Sequence, residues 1–131
     1  MENNLALELK VIETFIHKDK QARYKQFVTA DKTRLKFIRD LPHFNSFKNE
    51  KFEKIKVDEK INIMERLKRL KIDSSKCYII SVNPKLDTRI LDTGFALDQI
   101  IGYGMGTILV FGDADVVYFE GEGPSDRLIS K

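Results

Sequence analysis

The stretch "IIGYGMGTILVFGD", residues 100–113, carries glycine at alternate positions, Gly102, Gly104 and Gly106. Glycine-rich turns beside a strand bind phosphate when a helix follows them, because the free N–H groups of the helix N-terminus then meet the anion. Here the order is reversed. "ALDQII" reads as helix before the glycines and "TILVF" as strand after them. A helix C-terminus presents carbonyl oxygens and partial negative charge, which repel phosphate. Neither the dinucleotide fingerprint nor the P-loop spacing can be laid over residues 102–107. The glycines therefore read as turn residues: Gly102 as the left-handed residue closing a helix, Gly104 and Gly106 as points of sharp reversal or close backbone approach.

Other residues with chemical potential are scattered. In "VVYFEGE" the two-residue strand period puts Tyr118, Glu120 and Glu122 on one face and Val117 and Phe119 on the other. Two carboxylates so spaced could hold a cation or divide acid and base roles if one were desolvated. The simpler expectation is that Val117 and Phe119 face the core and the glutamates face water. Asp113 and Asp115 in "GDAD" read as turn residues. Cys77 opens an apolar run, where a thiol is buried and inert, and Ser81 lies in the same run, outside any nucleophile turn. His43 in "LPHF" sits among aromatics able to tune its titration. With one cysteine and two histidines, His17 and His43, no zinc site is expected. No metal or cofactor is assigned.

The most unusual feature is basic. Residues 18–39 hold Lys18, Lys20, Arg23, Lys25, Lys32, Arg34, Lys36 and Arg39 against Asp19 and Asp31, with Tyr24, Phe27 and Phe37 interleaved. Clustered cations neutralise phosphates and release counterions, and exposed aromatics stack on unpaired bases. Arginine adds forked contacts to phosphate or carboxylate. Arg23, Lys25, Arg34, Lys36 and Arg39 are accordingly the candidate anion-binding set. Two plainer accounts compete: lysines as the solvated face of amphipathic helices, or neutralisation of the basic part by an acidic part of the same chain. A helix-turn-helix could span residues 21–41, although its turn "VTADK" lacks the usual glycine.

These residues must be positioned by two unlike halves. Residues 1–72 carry 18 Lys and Arg against 11 Asp and Glu, a net of +7, and residues 73–131 carry 5 against 9, a net of −4. All seven glycines lie between Gly94 and Gly123, so the first 93 residues have none, as suits helices, where glycine is costly.

"NLALELKVIETFIHK" spaces Leu5, Leu9, Ile12 and Ile16 as an amphipathic stripe widened by Val11 and Phe15. Tyr24, Phe27 and Val28 share a side of a second helix. Asp31 reads as the N-cap of a third, with Leu35, Ile38 and Leu41 inward and Pro42 at its end. Residues 44–56 read as loop. "VDEKINIMERLKRLKI" reads as a further helix with Asp58 near its positive end and Lys68, Arg69 and Lys71 near its negative end, one side set by Ile61, Met64, Leu67 and Lys68 and broadened by Ile63 and Leu70. "CYIISV", "GTILVF" and "DVVYFEGE" read as strands, "NPKLDTR" as loop, "DTGFALDQII" as a short helix and "RLISK" as an edge strand. The expectation is one α+β domain over 1–131, a helical N-terminal part of three to four helices packed on a small, mostly antiparallel sheet of three to four strands.

The single cysteine, the lack of a long apolar run and the absence of a basic leader predict a cytoplasmic location. The leading functional expectation is a small binding or adaptor protein whose basic helical face engages an anionic partner: RNA, DNA or an acidic protein surface. The alternative is a small enzyme for a phosphorylated or nucleotide-like substrate, with Arg34, Arg39 and His43 binding it and Glu120 or Glu122 as acid, base or metal ligand. A third is a homo-oligomer paired through the first helix or the "RLISK" edge.

Overall fold

The computed structural model describes residues 3–55, 60–72, 75–101, 103, 105–122 and 127–130. In chain order these form α1 (Leu5–Phe15), α2 (Lys18–Val28), α3 (Asp31–Asp40), β1 (Phe52–Lys54), α4 (Lys60–Arg69), β2 (Lys76–Ser81), β3 (Ile90–Asp92), α5 (Thr93–Ile100), β4 (Thr107–Phe111), β5 (Val116–Glu120) and β6 (Arg127–Ser130). The fold is α+β, with a helical N-terminal part as expected. The sheet has six strands rather than three to four, in the order β1-β6-β5-β4-β2-β3, with every neighbouring pair antiparallel. The two extra strands, β1 and β3, are three residues each; β1 lies in the segment read from sequence as loop, and β3 between the loop "NPKLDTR" and the helix "DTGFALDQII", taking the first residue of the latter, Asp92. Runs this short carry too little period to be recognised.

Helices cover both faces of the sheet. On one face Val11, Ile12 and Phe15 of α1, Tyr24 and Val28 of α2, and Phe37 and Ile38 of α3 pack against Tyr78, Ile80, Ile108, Val110, Val117 and Phe119. On the other, Ile63 and Leu67 of α4 and Ala96, Leu97 and Ile100 of α5 pack against Cys77, Ile79, Leu109, Phe111, Tyr118 and Ile129. Coverage on two sides explains why β4 and β5 are buried along their whole length, and why "TILVF" reads as a continuous apolar run rather than an alternating one. Burial also pushes the Cys77 thiol up to about 12, so it stays protonated and unreactive near neutral pH.

Several inward faces differ from the sequence expectation. The buried stripe of α1 is Glu8, Val11, Ile12 and Phe15, and Leu5 is exposed. In α3 it is Arg34, Phe37 and Ile38, leaving Leu35 51% exposed; the N-cap is Ala30, with Asp31 the first helical residue. In α4 it is Ile63 and Leu67, with Ile61 70% exposed and Leu70 also exposed. Asp58, Gly102 and Gly104 lie outside the described residues. The segment between α3 and α4 conceals an aromatic cluster: Phe47 meets Phe44, Phe52 and Phe119 at centroid separations of 4.7, 4.7 and 5.1 Å. β6 is interior, flanked by β5 and β1. Contrary to the edge-strand expectation for this segment, β6 is therefore covered on both sides, and the sheet edges are β1 and β3.

Gly106 follows α5 and enters β4 with φ of +110°. Its N–H donates to the Glu120 carbonyl at 3.2 Å and its carbonyl accepts from the Val82 N–H at 3.0 Å, so these groups serve the sheet. A Cβ at this position would lie 2.6 Å from the Pro42 nitrogen and 2.9 Å from Leu41. Backbone strain and overpacking then coincide. Gly106→Ala is expected to lower the unfolding free energy by about 2–4 kcal/mol in a urea titration; wild-type stability would show that the turn after α3 does not abut Gly106.

Candidate functional site

The charged groups separate into a buried network and an exposed surface. Arg34, on the inner side of α3, is clamped between two carboxylates. Its Nε and Nη2 donate to Glu8 Oε1 and Oε2 of α1 at 3.0 and 2.8 Å. Its Nη1 and Nη2 donate to Asp87 Oδ2 and Oδ1 at 2.6 and 2.9 Å. Glu8 also accepts from Tyr78 Oη at 2.6 Å and Asn3 Nδ2 at 2.8 Å, and Asp87 from the Ser81 N–H at 3.0 Å. Tyr78 Oη in turn accepts from the Asn4 N–H at 2.9 Å. Burial works against the Arg34 charge, but hydrogen bonds to Asp87 and Glu8 outweigh it and hold the guanidinium above its ordinary range. A cavity of about 230 Å³ lined by Asn3, Asp31, Arg34, Leu35, Asp87 and Thr88 reaches this network, yet the guanidinium edges facing Glu8 and Asp87 are already engaged.

The other described acids of the second half are also taken. Asp98 pairs with Lys60 at 2.6 Å, Asp113 with Lys10 and Glu120 with Arg127. Glu122 Oε2 lies 2.8 Å from His43 Nε2. Asp92 accepts from the Phe95 N–H and Asp115 from the Asp113 N–H, each at 3.0 Å. None of these contacts uses a cation of α2, and Arg34 is the sole contributor from α3.

The α2–α3 surface is therefore left with exposed Lys18, Lys20, Arg23, Lys32, Lys36 and Arg39. Among the described residues none of these lies within 4.0 Å of a carboxylate oxygen, whereas Lys25 pairs with Glu13 at 3.0 Å. Two cations converge on one ring: Arg23 Cζ lies 5.4 Å and Lys36 Nζ 5.6 Å from the centroid of half-buried Phe27. Tyr24, buried behind it, donates its hydroxyl to Asp40 at 3.0 Å, and burial with that bond raises its pKa. At 100° per residue Lys32, Lys36 and Arg39 form one stripe of α3, and Lys20, Arg23 and Phe27 one stripe of α2. Only Thr29 and Ala30 join the helices, shorter than a helix-turn-helix connection.

Of the candidate residues, the structure gathers Arg23 and Lys36, keeps Arg39 on the Lys36 stripe, pairs Lys25 locally and buries Arg34. Glu120 and Glu122, expected together in water, part company. Glu120 is 1% exposed and shares the Tyr118 side of β5, the face covered by α4 and α5. Glu122 lies beyond the strand, on the surface with His43. Glu120 is thus on the sheet face opposite α3 with its Arg34 and Arg39, whereas Glu122 does meet His43.

Sequence reasoning missed the network of Glu8, Arg34, Tyr78 and Asp87. Its one signal was position: Glu8 stands three and four residues before Val11 and Ile12, and Arg34 stands likewise before Phe37 and Ile38, on the apolar stripes themselves. Comparison of the chain with protein-family models, curated proteins and solved structures finds no match to any of them.

Removing Arg34 would leave two buried carboxylates facing one another. Arg34→Met is expected to cost about 3–5 kcal/mol of stability in urea unfolding, whereas exposed Arg23→Gln should fall within about 0.5 kcal/mol of the parent. Equal, small effects would contradict the buried clamp.

Proposed function

We propose that the protein is a binding or adaptor module whose α2–α3 surface engages an anionic partner. The observation that carries this reading is the pairing pattern. The described acids of the second half meet Lys10, Arg34, His43, Lys60, Arg127 or backbone N–H groups. The exposed cations of α2 and α3 have no such partner among the described residues. Internal neutralisation, the plainer account of the charge division, thus leaves this surface aside. Convergence of Arg23 and Lys36 on Phe27 concentrates positive potential where the two helices meet, which favours capture of an anion and steers its approach.

The test is fluorescence anisotropy of the full chain with two labelled polyanions, a DNA duplex and poly-glutamate, across a salt series. At least one should bind at low salt with affinity falling steeply as salt rises, and the double variant R23Q/K36Q should weaken that binding by about tenfold or more at low salt while leaving the circular dichroism melt unchanged. Failure of both polyanions to bind at low salt, or binding indifferent to R23Q/K36Q, would overturn the reading.

A further inference from the structure

We infer that the anionic partner is the phosphate backbone of a double-helical nucleic acid, contacted through charge rather than through base stacking or an apolar interface; this rests on the reading of α2–α3 as an anion-binding surface. Three observations point there.

The first concerns the rings. Single strands are held largely by bases stacking on exposed aromatics. Tyr24 and Phe37 are buried, and Phe27 is half-buried, edge-on to Tyr24 at 6.0 Å, with Arg23 and Lys36 over its ring. The aromatics that the sequence interleaves with the cations offer no free face to a base.

The second concerns composition. Protein interfaces are depleted of lysine at their centres and rely on buried aromatic or arginine anchors. This surface has exposed Lys20, Lys32 and Lys36, and its exposed large apolar side chain is Leu35. Flexible ammonium groups suit phosphate oxygens as point charges.

The third concerns spacing. Lys32, Lys36 and Arg39 extend along about 10 Å of helix at 1.5 Å per residue, and Lys20 and Arg23 flank them on α2. A duplex presents one charge per about 1.7 Å of axis, so roughly six phosphates lie along that length, comparable with these five cations. The two-residue α2–α3 connection and the inward side chains of Arg34, Phe37 and Ile38 argue against insertion of α3 as a groove-reading helix.

The experiment compares the full chain's affinity for a mixed-sequence DNA duplex of about two helical turns, one of its separated strands, and poly-glutamate of similar charge. The duplex should bind about tenfold or more tighter than either competitor, with a log–log salt slope near −4 to −5 for five contacts. Shuffling the duplex sequence should leave affinity within about twofold. In R23Q/K36Q the slope should become shallower by about 2. Tighter binding of the single strand would overturn the inference, as would strong sequence dependence. Binding of poly-glutamate that depends on Arg23 and Lys36, without duplex binding, would overturn it while leaving the anionic-partner reading standing; absence of all binding would remove both.

Discussion

The arrangement of charge in this protein depends on where Arg34 goes. Its guanidinium donates two hydrogen bonds to Glu8 and two to Asp87, joining α1, α3 and the connection between β2 and β3 out of water. A buried ion pair of this kind contributes little net stability relative to an apolar substitute, because desolvating three charges offsets their attraction. Its structural effect is directional. Once Glu8 and Asp87 are buried, α3 must present Arg34, and with it Phe37 and Ile38, to the sheet. The opposite side of α3, carrying Lys32, Lys36 and Arg39, must face water.

The same logic runs through the other ion pairs. Lys10, Lys60 and Arg127 meet acids that line the sheet's periphery or its second face, so the described acids of the second half are met by groups outside α2 and the outer side of α3. A net difference between two halves of a chain is ambiguous by itself, because it suits an internal interface as well as an external partner. Here the pairing, read residue by residue, is the observation on which the proposal of an external partner rests.

The sequence foretold what rests on strong period and turn chemistry. α1, α2, α3, α5 and the central strands β2, β4 and β5 follow from apolar spacing, and the order helix–glycine–strand around Gly106 correctly argued for a turn. What it did not foretell depends on tertiary context. β1 and β3 are too short to show alternation. The exposure of Leu35 and Ile61 and the burial of Glu8, Arg34 and Glu120 reverse the hydropathy rule, because each buried charge finds a partner on another element: Arg34 is 26 residues from Glu8 and 53 from Asp87, and Glu120 meets Arg127 on the neighbouring strand β6. No local pattern encodes such a pairing; only its symptom, a charge on an apolar stripe, is visible beforehand. Glutamates at 120 and 122 look equivalent along a strand, but the strand ends between them.

The central claim is that Arg34 is engaged internally while Arg23 and Arg39 remain open to an anion. Phenylglyoxal modification followed by peptide mass mapping, with and without duplex DNA, measures this directly. Arg23 and Arg39 should react in the free protein and be protected by the duplex, and Arg34 should resist in both states. Ready modification of Arg34 in the folded protein, or Arg23 and Arg39 reacting equally with and without the duplex, would contradict the account.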